Sequence, residues 1–117
     1  MNITIKNGIA IVRSDVPVIT DGQSALDFMA SISYGCNVGK IALNKAAVAE
    51  DFFRLSTGLA GEVAQKFVNF RIQFAIIGDF SGYTSEPLQA FIRESNRGRH
   101  MFFVGSEDEA VEKLSGK

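Results

Sequence analysis

Residues 74–77 read Phe-Ala-Ile-Ile and run directly into Gly78. Consecutive apolar residues, aromatic and β-branched, bounded by a glycine, fit a short strand shielded from water on both faces. Such a strand belongs inside a parallel sheet with helices packed over it, and no other feature of the chain restricts the fold as strongly. Ile76 and Ile77 are therefore expected to be buried on opposite faces of an inner strand.

The flanking segments supply the rest of that sheet. Ile3 and Ile5 alternate with polar residues, and Ile9, Ile11 and Val12 follow an Asn7-Gly8 pair. This predicts an antiparallel hairpin lying toward one side of the sheet, because a tight hairpin turn needs two residues that accept positive φ. Pro17 ends the pairing of the second strand. A helix is predicted from Gly22 to Ser33, capped by Thr20 or Asp21, with Leu26, Met29, Ala30 and Ile32 on its apolar side and Tyr34-Gly35 as its stop. Lys40–Asn44 is a short strand, and the connection after it has room for a helical turn.

The next predicted helix spans Leu59 to Arg71. Leu59, Val63 and Phe67, with Ala60, Ala64 and Val68, give it a wide buried stripe. Glu62 and Lys66 are spaced for a surface ion pair. Gly78 to Thr84 is a loop, and Ser85 caps a helix that tolerates Pro87 in its first turn, carries Leu88, Phe91, Ile92 and Ser95 on one side, and stops at Gly98. Met101–Val104 is the last strand. Ser106 and Glu109 form a capping box for a final helix with Ala110, Val111 and Leu114 inward. The order is β-β-α-β-α-β-α-β-α: a single α/β domain over residues 1–117, with a mixed, mostly parallel sheet and flanking helices.

Composition excludes several functions. The net charge is −1, and Arg93, Arg97 and Arg99 form the only local basic cluster, which reads as a solvated helix end. No nucleic-acid partner is expected. The single cysteine, Cys36, and single histidine, His100, rule out an internal disulfide and a cysteine-rich zinc site. The opening MNITIKNGIAIV lacks a secretory pattern, and no apolar run approaches the ~20 residues that span a bilayer. A soluble cytoplasmic protein without cofactor or metal is the expectation.

In open α/β sheets, ligands gather at the carboxyl ends of the parallel strands. The polar residues expected there are Asp15, Lys45, Asp51, Arg54, Ser56, Thr57, Asp79, Tyr83, Thr84 and Ser85. Cys36 and His100 fall at the opposite rim, which disfavours a thiol–imidazole nucleophile. Asp15 and Asp79 could join phosphate oxygens around magnesium, although acidic loop residues more often form turns and caps. Gly58-Leu59-Ala60-Gly61 lacks the spacing and the Lys-Ser/Thr ending of a phosphate-binding loop. Ser56 and Thr57, just before a helix, can cap it, and the same position suits an anion or a phosphorylated hydroxyl.

The hairpin followed by alternating helices and strands resembles the anti-sigma-factor antagonists and the related domains of sulfate transporters. Thr57-Gly58-Leu59 resembles the hydroxyl-Gly-Leu part of the motif at which a kinase phosphorylates those antagonists. Leu55 replaces their usual aspartate, and residues 44–57 form a longer connection than theirs. The stretches QSALDFMA (23–30), EDFFRLSTGLAGEVAQKFVNFR (50–71), AIIGDFSGYTSEPLQAFIRESNRG (75–98) and FFV (102–104) resemble the bacterial domain-of-unknown-function family 4180. That resemblance implies the fold and assigns no activity.

The reading that follows is a non-catalytic regulatory or protein-interaction module. Its expected surface comprises Arg54, Ser56, Thr57, Gly58, Asp79, Ser81, Tyr83, Thr84 and Ser85, with a protein partner and scope for homo-oligomers. The alternative is a binder of small anions or phosphorylated ligands, or a minor enzyme acting on them, at the same rim.

Overall fold

The structure, a computed structural model, describes residues 1–36 and 38–116. Its sheet has strands β1 (Asn2–Lys6), β2 (Ile9–Arg13), β3 (Lys40–Asn44), β4 (Gln73–Ile77) and β5 (Met101–Val104) in spatial order 1-2-3-4-5. β1 pairs antiparallel with β2, and every later neighbour is parallel. Helices α1 (Gly22–Cys36), α2 (Leu59–Asn69), α3 (Glu86–Arg97) and α4 (Glu107–Leu114) complete the expected α/β order. At the hairpin turn Asn7 and Gly8 both take positive φ, 54° and 76°.

Strands β2 to β5 are added in one direction, so right-handed crossovers place α1, α2 and α3 on the same face. The larger core forms there, with Val12, Leu43, Phe74, Ile76 and Phe103 under Phe28, Ile32, Val63, Phe67 and Leu88. Phe67 stacks on Phe74 with ring centroids 4.1 Å apart. The other face has only α4, whose Ala110 and Leu114 pack with Ile9, Ile11, Ala42, Ala75, Phe102 and Val104.

Local chemistry explains most helix starts. Asp21 Oδ1 accepts from the Ser24 N–H at 2.7 Å and Ser24 Oγ accepts from the Asp21 N–H at 3.0 Å, a reciprocal cap on α1. The backbone and side-chain hydrogen bonds from Ser24 hold the Asp21 carboxyl below its ordinary pKa. Ser85 caps α3 through the Leu88 N–H. Ser106 accepts from the Glu109 N–H, while Glu109 Oε1 accepts from the Gly105 N–H.

Several expectations are corrected. α1 runs through Tyr34 and Gly35 to Cys36, and its Ala30 is exposed. α2 ends at Asn69, and Arg71 leaves it with φ of 56°, bringing Ile72 inward and leaving Val68 exposed. Gly98 ends α3 in an extended conformation, so it stops the helix without the left-handed geometry for which glycine is usually chosen. Glu62 forms no ion pair with Lys66; its carboxylate lies against Gly22, where a Cβ would meet Glu62 Oε1 at 2.2 Å. Ile76 is fully buried, but Ile77 is half-buried, because one short helix covers the second face less completely than three cover the first.

That asymmetry has a measurable consequence. Ile76→Ala should cost ~2–5 kcal/mol in urea denaturation, the usual range for an enclosed aliphatic residue. Ile77→Ala should cost clearly less, since solvent already reaches its side chain.

Candidate functional site

At the carboxyl end of β3 the chain enters a corner of three single 3-10 turns, Lys45–Ala47, Glu50–Phe53 and Leu55–Thr57. Sequence reading allowed for one helical turn here. The corner is anchored by Ile19, which bridges to Val48, and by Phe52 and Phe53, both buried. Adjacent residues are buried together because the 3-10 turn sends their rings in different directions, edge to face, with centroids 5.1 Å apart.

Phe53 carries the site. Its ring stacks on Tyr83 at 5.1 Å and lies 5.9 Å from Phe80, joining the 50–53 turn to the loop after β4. Lys45 Nζ sits over both the Tyr83 ring, at 4.8 Å, and the Phe53 ring, at 5.6 Å, in cation–π geometry. The Tyr83 hydroxyl donates to Glu50 Oε2 at 2.8 Å. Gly78 is required for close approach: a Cβ there would meet Lys45 Cβ at 2.8 Å, too close to the backbone for the lysine to swing aside. Asp79 Oδ1 accepts from the Ser81 N–H at 3.0 Å and shapes the turn that presents Tyr83.

Charge states follow from these contacts. The Tyr83 hydroxyl beside the ammonium raises the Lys45 pKa against the opposing effect of partial burial, and the charges of Glu50 and Asp79 add to the rise. Burial raises the Tyr83 pKa, Lys45 pulls it down, and Glu50 pushes it up again. The Ser81 hydroxyl and N–H hold Asp79 below the ordinary carboxyl value.

Beside this cluster lies an open groove of about 500 Å³, lined by Glu50, Phe53, Arg54, Leu55, Ser56, Gly82, Tyr83, Thr84, Ser85 and Pro87. Arg54, Ser56, Tyr83, Thr84 and Ser85, all expected from sequence, come together in it. Thr57, Gly58, Asp79 and Ser81 do not line it and instead shape its walls. Glu50 and Phe53 were missed: an acidic residue and a buried aromatic in an unassigned connection give no sign that they meet Tyr83. A second groove, about 390 Å³, lies between α1 and Phe70, away from this rim.

The two hydroxyls at the entrance to α2 differ. Gly58, with φ of 79°, occupies the cap position, and no side chain caps from there. Thr57 acts from one residue earlier: its Oγ1 lies 2.8 Å from the carbonyls of Asp51 and Arg54 and accepts from the Leu59 N–H at 3.2 Å. Its proton is thus committed to the corner. Ser56 is exposed at the groove's edge. The capping role expected of either residue therefore belongs to Thr57, in altered form.

Asp15 sits at the end of β2, with β3 between it and β4, so it does not converge with Asp79. Among the described residues, no group of three or more His, Cys, Asp or Glu side chains could hold a metal ion. His100 lies at the opposite rim, beside Arg99 and Met101. No helix among the described residues is long and apolar enough to cross a membrane.

Residues 5–114 match the family described as "Domain of unknown function (DUF4180)". The chain belongs to that family. No curated protein matches its sequence. Its fold is similar to a crystal structure of a candidate anti-sigma factor antagonist from Thermotoga maritima, with TM-score 0.53, 16% identity, and coverage of 97% of this chain and 93% of that one. An NMR structure of the same Thermotoga protein gives TM-score 0.52 and 15% identity over 98% of this chain and 88% of that one. At these identities the likeness is one of fold, and it agrees with the topology the DUF4180 sequence implied.

Lys45 and Tyr83 both have pKa values raised above the ordinary 10.5 and 10.0. A raised folded-state value stabilises the protein below the unfolded value and ceases to do so as pH climbs through the folded one. Thermal melts should therefore show an alkaline loss of stability above about pH 10. A Lys45→Met, Tyr83→Phe double variant should lose less over the same range.

Proposed function

We propose that this DUF4180 protein is a non-catalytic regulatory module of the anti-sigma-antagonist kind, which binds a protein partner through the groove between residues 50–56 and 82–87. The observation that carries this reading is the direction in which the groove's titratable groups are shifted. Lys45 and Tyr83 move up and Asp79 moves down, all away from neutrality. General acid–base chemistry requires the opposite, a group brought toward the working pH. The Ser85 and Thr57 hydroxyls are occupied in local structure, and neither thiol nor imidazole is within reach of the groove.

The groove suits recognition. An aromatic pair and a cation form a rigid surface, Arg54 and Ser56 provide polar groups at its edge, and the shape is open rather than enclosing. Aromatic and arginine side chains on a preorganised surface are the residues that commonly dominate protein–protein affinity. The fold likeness to a candidate anti-sigma factor antagonist supports a protein partner over a metabolite.

Ser56 is the informative position. Ser56→Asp should leave the fold intact, since the side chain is exposed, yet weaken a partner recovered by affinity capture from the source cells by ~10-fold or more, about 1.4 kcal/mol. Thr57→Asp should instead destabilise, because a carboxylate would face the Asp51 and Arg54 carbonyls without a proton to donate. Cys36→Ala and His100→Ala should bind within a few-fold of the parent. Unchanged binding by Ser56→Asp and Tyr83→Ala, with loss in His100→Ala, would move the surface to the other rim. Saturable calorimetric binding of inorganic phosphate that Arg54→Ala removes would favour the anion-binding alternative.

A further inference from the structure

We propose that β1 pairs edge to edge with β1 of a second copy of this chain, antiparallel and centred on Thr4, joining two sheets into one. β1 is the outer strand, and all of its residues are exposed. Its apolar side chains continue a covered face: Ile3 lies opposite Val12 and Ile5 opposite Ala10. Val12 and Ala10 are 0% exposed, whereas Ile3 and Ile5 are 40% and 49% exposed, since α1 to α3 do not shield the sheet's outermost strand.

The backbone fixes which groups are offered. In a two-residue hairpin the residues flanking the turn form a hydrogen-bonded pair, here Lys6 and Ile9. Alternation then turns the N–H and C=O groups of Lys6, Thr4 and Asn2 toward β2, and those of Ile5 and Ile3 outward. The devices that usually blunt an edge are sparse: the strand has no proline, its register has no bulge, and its only charge is Lys6.

The sequence itself selects a second copy as the occupant. Asn-Ile-Thr-Ile-Lys is self-complementary about Thr4, as a two-fold interface requires. With Thr4 opposite Thr4, Ile3 of each copy meets Ile5 of the other, and these are the residues whose backbone groups face outward. Lys6 meets Asn2, so no like charges are opposed. A register centred two residues later would set Lys6 against Lys6. The contact is only one short strand wide, which places it among transient associations rather than obligate dimers. Because paired strands run antiparallel, the carboxyl-end grooves of the two copies point in opposite directions and both stay open.

Sedimentation velocity over a concentration series up to about 1 mM should show the mass rising from monomer toward dimer. Ile5→Pro should hold the protein monomeric, since it removes an outward N–H and leaves the hairpin's own bonds in place. Cross-linking tests the register independently, in a Cys36→Ala background. Thr4→Cys should oxidise readily to a covalent dimer, because a non-hydrogen-bonded antiparallel pair sets its Cα atoms about 4.5 Å apart, within disulfide range. Asn2→Cys, facing Lys6 of the other copy, should cross-link about tenfold less under the same oxidant. A monomer at every concentration, or equal cross-linking at positions 2 and 4, would overturn the proposal. Should Ile5→Pro fail to fold, the cross-linking ratio decides.

Discussion

Adding strands to the sheet in a single direction is the constraint on which the rest of the structure depends. With order 1-2-3-4-5 and right-handed crossovers, three helices must share one face, and the other face is left to whatever follows β5. Eight-residue α4 is the only helix on that side. The side chains reflect this: Ala42 and Ala75 let α4 lie close to the inner strands, while Phe74, Ile76 and Phe103 fill the deeper space on the first face. Ile77 and the outer residues of β1 remain partly wet for the same reason.

The same order determines where a site can form. Parallel strands bring their carboxyl ends to one rim, but a rim of flexible loops would not hold a surface in shape. Here Phe52 and Phe53 turn the long β3–α2 connection into structure by burying two aromatic side chains from consecutive positions. Aromatic residues of this size bury enough area to order a segment that lacks regular hydrogen bonding. Gly78 then lets Lys45 approach, and Tyr83 closes the cluster from the other side. The polar groups of the groove thus rest on an apolar base that belongs to the main core.

Elements governed by short-range chemistry were legible in the sequence. The Asn7-Gly8 turn, the caps at Ser85 and Ser106, and the apolar β4 all stand where residue type alone placed them. Boundaries governed by tertiary packing were not. Tyr34-Gly35 looks like a helix stop, yet α1 continues because glycine only weakens a helix, by about 1 kcal/mol, and does not forbid it. The end of α2 depends on Arg71 taking a left-handed conformation, an uncommon choice for arginine that sequence does not advertise. At the site, the rim could be placed from strand order, and Arg54, Ser56, Tyr83, Thr84 and Ser85 do converge there. The contact of Phe53 with Tyr83 spans thirty residues of chain and leaves no periodic trace.

Fold likeness and surface chemistry carry different weights. At 16% identity to the Thermotoga protein, shared topology accounts for where the rim lies and for little of what lines it. The lining comes from this chain's own choices at residues 45–57 and 78–85. Lys45 shows how those choices bear on function. A lysine recruited as a nucleophile is brought toward neutrality by burial or by a nearby cation. Lys45 lies instead over two aromatic faces, near Glu50, Asp79 and the Tyr83 hydroxyl, and all of these favour its charged form. It is a fixed positive charge that holds two loops together, and a groove built on it is suited to being recognised rather than to turning over a substrate.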